Sequence, residues 1–176
     1  MTDTKIKPAP VRRSVMVKAA QVRAFQMFTD GFGRWWPRSH HIGKSAMTGG
    51  VIEPRVGGRW YEVCEDGSQC DWGKVLVWEP PARVVLAWQL TQQWQYDPNF
   101  QTEVEVRFTP EGEATRVELE HRCLERFGAD AEKVRTSIDS PKGWPDILRQ
   151  YAEAASNWGE AVSGLPDGVT SRRCEW

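Results

Sequence analysis

Three kinds of residue in this chain could act on a bound molecule: a histidine, a carboxylate and a set of tryptophans, all at strand spacing. Val117, Leu119 and His121 share one face of an alternating run. An imidazole ending such a face is either a hydrogen-bonded core group or a polar group that orients a ligand and moves a proton. Glu62 shares a face with Trp60 and is the carboxylate best placed to meet His121 if both point inward. In an apolar cavity its carboxyl would titrate high and could serve as an acid or base. These two are the catalytic candidates. Trp60, Trp72, Trp78 and Trp88 fall between residues 57 and 89. Such indoles fill a core, or they wall a pocket that stacks flat molecules and offers N–H donors.

Other chemistries find less support. His40 and His41 are adjacent, so on extended chain they point to opposite sides, and no H-x-H or H-E-x-x-H spacing occurs. No metal is expected, and no cofactor. There is no G-x-S-x-G nucleophile turn. Cys123 follows His121 by two residues, a spacing that suits a Cys–His pair but more often marks a buried thiol at a strand end. Gly57-Gly58 precedes a strand and lacks a P-loop lysine, which makes it a turn or bulge.

The elements that must position these residues follow from pattern. Residues 1–11 read as a flexible leader. Residues 14–18 alternate as a strand. A helix follows, with Val22, Phe25, Met27 and Phe28 as its apolar stripe and Asp30-Gly31 as its stop, then a second short helix near Gly33–Trp36. Residues 38–50 have no period and read as a loop. Strands are expected at 51–54, 58–65, 71–78, 83–90, 102–109 and 116–122, with a loop at 92–100 carrying Trp94 and Tyr96. The acidic outer face of the last two strands, interleaved with Arg107 and Arg122, reads as a solvated face with cross-strand ion pairs. Trp144, Leu148, Tyr151, Ala155, Trp158 and Val162 recur at helical spacing, with Pro145 in the first turn, and predict a long amphipathic helix. Residues 163–176 read as a flexible tail. One domain over 12–162 is expected: α+β, with a curved antiparallel sheet of about six strands gripping the last helix.

Composition narrows the partners. The chain has 176 residues and a formal net charge of -1, with 23 basic and 24 acidic side chains. That balance argues against nucleic acid or an anionic membrane. No apolar run is long enough to span a bilayer. With no export signal, the four cysteines, Cys64, Cys70, Cys123 and Cys174, read as free thiols in a reducing cytoplasm.

Several stretches carry a resemblance: Gly57-Gly58-Arg59-Trp60-Tyr61-Glu62, Asp66-Gly67, Trp72-Gly73-Lys74-Val75-Leu76, Trp78-Glu79-Pro80-Pro81 with Arg83 and Trp88, Val117-Glu118-Leu119-Glu120-His121, and Gly143-Trp144. The chain resembles the START-like (SRPBCC) superfamily, and within it homologues of the C-terminal domain of the activator of heat-shock-protein ATPase. The resemblance covers roughly residues 12–162. It implies a helix-grip fold with an apolar cavity between sheet and C-terminal helix. Members bind lipids, sterols, polyketides or aromatic molecules, and a minority are enzymes. It supplies no catalytic residue.

The expected function is therefore binding of a small hydrophobic or aromatic, lipid-like molecule. The pocket residues are Trp60, Glu62, Trp72, Trp88, Val106, Leu119, His121, Trp144, Leu148 and Tyr151. The loops at 38–50 and Trp94–Phe100 could gate it. The alternatives are a lyase, cyclase or hydrolase using His121 or Glu62, and a co-chaperone-like interaction module with a chaperone partner or a homodimer.

Overall fold

The computed structural model describes residues 7–163. Seven strands form one antiparallel sheet: β1 (Val11–Val17), β2 (Met47–Ile52), β3 (Arg59–Cys64), β4 (Gln69–Glu79), β5 (Arg83–Trp88), β6 (Thr102–Glu111) and β7 (Ala114–Arg122). Their order is β1-β7-β6-β5-β4-β3-β2, so β1 and β2 are the edges. Helices α1 (Gln21–Thr29) and α2 (Phe32–Trp35) follow β1. A 3-10 segment (Leu124–Asp130), α3 (Ala131–Ile138) and α4 (Trp144–Ser163) follow β7. This is the α+β helix-grip arrangement.

The alternation of β6 and β7 sorts their faces. Val104, Val106 and Phe108 pack inward with Val117, Leu119 and His121. On the other face Glu105 accepts from Arg83 Nε at 2.7 Å and Arg107 Nε at 2.9 Å. Burial would raise the Glu105 carboxyl, but the bonds from Arg107 and Arg83 hold it below the ordinary carboxylate range.

The middle of the grip is solid. Trp144, Ile147, Leu148, Tyr151 and Ala155 of α4 are buried. Tyr151 stacks edge-on against Phe28 at 5.1 Å and donates its hydroxyl to Ala24 O at 2.6 Å. Phe108 meets Phe25 at 5.1 Å and Phe28 at 5.9 Å, tying β6 to α1. Trp158 and Val162, expected on the same stripe, have side chains outside the described residues, as do residues 164–176.

Four expectations need correction. The sheet has seven strands rather than about six. The loop read at 38–50 ends sooner, because β2 begins at Met47. Its Gly49-Gly50 hides the strand period and serves packing: a Cβ on Gly50 would lie 2.5 Å from Phe32 of α2, and one on Gly33 only 2.6 Å from Gly50 N. Val22 is 52% exposed, so the buried face of α1 is Ala24, Phe25, Met27 and Phe28. The first strand, read at 14–18, begins sooner: β1 is Val11–Val17, and just before it Ala9 O accepts from Arg135 of α3 at 2.7 Å.

Candidate ligand cleft

A cleft of about 400 Å³ opens at the N-terminal end of α4. Indoles dominate its wall: Trp36 from the turn after α2, Trp72 from β4, Trp88 from β5, Trp94 from the following loop, and Trp144 from the first turn of α4. They touch in series. Trp36 meets Trp72 at 5.0 Å and Trp144 at 6.0 Å; Trp88 meets Trp144 at 5.8 Å and Trp94 at 6.2 Å. All these contacts are edge-to-face, the arrangement the ring quadrupole favours. Trp94, with φ 59, is 49% exposed.

Each strand contributes for a local reason. Trp88 sits opposite Gly73 in the β4–β5 register, and a Cβ on Gly73 would overlap Ala87 O. The glycine lets the two backbones close up beside the indole. Gly143 does the same before α4: any side chain there would collide with Ile138 O. Trp144 is thereby held beside the end of α3. Ser137, Ile138, Lys142 and Leu90 complete the rim, with His40, His41 and Ile42 from the loop after Trp36.

The polar partners divide into two separate knots. In the first, Trp144 Nε1 donates to His121 Nδ1 at 3.2 Å. Nδ1 therefore accepts, and the ring proton sits on Nε2, where Thr102 Oγ1 lies at 2.8 Å. That hydroxyl in turn reaches Trp88 O at 3.4 Å. Burial pushes the His121 pKa down to about 3, so the ring is neutral under ordinary conditions.

In the second knot, Glu62 is fully buried. Its Oε1 accepts from Ile42 N at 2.6 Å and Trp72 Nε1 at 2.8 Å; its Oε2 accepts from Gly43 N at 3.2 Å and Cys64 Sγ at 3.3 Å. His41 Nδ1 donates to Gly43 O at 3.1 Å and lies 3.9 Å from Glu62 Oε2. Burial, followed by the charge of Glu62, pushes the Cys70 thiol up to about 11. Neither that thiol nor Cys64, which burial also raises, is a ready nucleophile.

The expected site residues therefore disperse. Trp72, Trp88 and Trp144 line the cleft. Val106, Leu119, Leu148 and Tyr151 belong to the filled centre of the grip, and Trp60 packs behind Trp72 and Trp88 at 5.5 and 5.7 Å. Glu62 and His121 stand behind the wall, each with its own partners, and do not bond to each other. His121 orients Trp144, and Glu62 orients Trp72 and the loop at 42–43. Cys123 does not continue the strand; its φ of 64 turns the chain away, and burial raises its thiol.

Sequence reading gave Trp36 no place in the site and missed the whole of α3; the loops carrying His40, His41 and Trp94, expected as gates, supply part of the wall. Indoles in stretches without strand or helix period were the available signal. His40 and His41 do point apart: His40 Nε2 donates to Lys142 O at 2.9 Å, while His41 turns toward Glu62.

A family model described as Activator of Hsp90 ATPase homolog 1-like protein matches residues 18–156. The chain belongs to that family. Its fold is that of the START-like superfamily. Among solved structures, the family member is 38% identical to an anthrahydroquino-γ-pyrone synthase, Txn09, complexed with SUM, over 84% of this chain and 97% of that one, with a TM-score of 0.59. It is 34% identical to the self-sacrificing resistance protein CalC from Micromonospora echinospora, over 85% and 96% of the two chains, with a TM-score of 0.65. Protein NE0264 from Nitrosomonas europaea shares the fold at 12% identity, with a TM-score of 0.58 over 85% and 96%. No curated protein matches the chain. No helix among the described residues is long and apolar enough to cross a membrane.

Proposed function

We propose that the protein binds a flat, polycyclic aromatic molecule in the cleft at the start of α4. The observation that carries this reading is the wall itself: five indoles around about 400 Å³, a size within the range of small-molecule sites. The indole N–H groups of Trp36, Trp72 and Trp144 are committed to His40 O, Glu62 and His121. Those of Trp88 and Trp94 make no hydrogen bond among the described residues, which leaves two donors for ligand oxygens. Lys142 at the rim suits an acidic phenol or carboxylate on the same ligand. The likeness to a synthase named for an anthrahydroquinone supports the same ligand class.

The test is titration of tryptophan emission with anthraquinone-2-sulfonate. Saturable one-to-one quenching is expected, with Trp94→Ala weakening binding by about tenfold, ~1.4 kcal/mol. Quenching that never saturates, or that ignores Trp94→Ala, overturns the proposal. A second reading, turnover of the bound molecule, also rests on the synthase likeness. There His40 and His41 are the cleft-lining imidazoles, whereas the buried His121 has no route to a substrate. Chemical change of a hydroxyanthraquinone on incubation, checked by chromatography, decides it.

A further inference from the structure

Behind the cleft wall the β3–β4 hairpin gathers metal-ligating atoms that aromatic binding does not use. Glu62 lies directly opposite Cys70 in the strand register, and Cys64 is two residues further along β3, on the same face as Glu62. One ligand atom from each falls within 4.8 Å of the others. Gly43 crosses above them. A Cβ at that position would lie 2.5 Å from Cys64 Sγ, 3.0 Å from Glu62 Oε2 and 3.3 Å from Cys70 Sγ. Only a glycine lets the loop pack this closely over all three donors at once.

The surroundings are built in the manner of a ligation site. Glu62 Oε1 is fixed by the Ile42 N–H and the Trp72 indole, and this turns Oε2 toward the thiols. Outer hydrogen bonds of this kind orient metal ligands. His41 Nδ1 is 3.9 Å from the same Oε2, and its side chain, 29% exposed, lines the cleft through which an ion could enter. The Ser45 hydroxyl is buried beside Cys64.

We propose that Glu62, Cys64 and Cys70, with His41 as fourth ligand, bind one zinc-class divalent cation. Two thiolates, a carboxylate and an imidazole are the donor types that zinc takes in a tetrahedral shell. Loading releases the two thiol protons. His41 Nδ1 gives up its bond to Gly43 O, the ring proton resides on Nε2, and the freed lone pair faces the ion. The cation clamps the loop at 41–43 to the hairpin and so stiffens one wall of the cleft.

The test uses the full chain carrying Cys123→Ser and Cys174→Ser, kept reduced, so that Cys64 and Cys70 are its only thiols. Titration with Co²⁺ should saturate at one equivalent with a thiolate-to-cobalt charge-transfer band and the visible bands of a tetrahedral ion. Zn²⁺ should then abolish the spectrum and protect both thiols from a thiol reagent. Cys70→Ser should weaken binding at least about 100-fold, and Glu62→Gln by about 10-fold or more. Should either variant fail to fold, thiol protection by Zn²⁺ in the parent still decides. Absence of a charge-transfer band, a Co²⁺ affinity and band unchanged by Cys70→Ser, or thiols that react equally with and without Zn²⁺ would each overturn the proposal. No arm involves an aromatic ligand, so the two proposals fail independently.

Discussion

The middle of α4 and its first turn bury aromatic side chains with opposite results. Around Tyr151 the rings of Phe28 and Trp35 close to 5.1 Å and α1 lies against the helix, so the grip is filled. Around Trp144 the neighbours are mostly indoles held at their edges by polar groups outside the ring system. There a hollow of about 400 Å³ survives. The difference lies in what fixes each ring. Tyr151 is held by interlocking ring contacts and by its bond to Ala24 O on α1, both from elements that pack directly against it and leave no space. Trp144 and Trp72 are held from behind, by His121 and Glu62, and can stand as walls without a filler in front.

Substitutions can break this contrast. The largest effect is expected in the filled half: Tyr151→Ala should cost about 3–5 kcal/mol, read as a lower midpoint in urea unfolding. The equivalent truncation at the half-exposed Trp94 should change stability by less than about 0.5 kcal/mol while weakening the aromatic probe. If the two losses are similar, the cleft is part of the core and the contrast fails.

An intermediate effect comes from pH. The folded pKa of His121, about 3, lies below the ordinary histidine value of 6.5. The unfolded chain therefore takes up a proton first. The stability tied to the neutral ring is fully present above pH 6.5 and is lost as pH falls toward 3. His121→Gln should flatten that part of the stability–pH curve, at the cost of the bond to Trp144. An unchanged slope would mean that the imidazole is not neutral and buried as placed.

The same contrast explains what the sequence made legible. Strands such as β6 and β7 advertise themselves through strict alternation, and the helical stripe Trp144, Leu148, Tyr151, Ala155 is equally plain. Fold class and grip follow from those two periods. The cleft does not, because its wall mixes period and accident. Trp72, Trp88 and Trp144 sit on regular elements and were readable as inward. Trp36 and Trp94 sit in irregular chain, where direction depends on backbone turns such as the φ of 59 at Trp94. Glu62 and His121 were identified as inward and polar, but one-dimensional pattern cannot tell a group facing a cavity from one bonded behind its wall. Helix α3 was missed because its buried face is slight, only Ala131 and Ile138.

The edge-to-face series Trp36–Trp72–Trp60–Trp88, from which Trp144 and Trp94 both branch at Trp88, has an optical consequence. Rings 5.0 to 6.2 Å apart exchange excitation energy far faster than they emit. Light absorbed anywhere along the series migrates to its lowest-energy member before it is released. An acceptor lodged against any one of these six rings would drain them all, and the series would report occupancy of the cleft by dimming together.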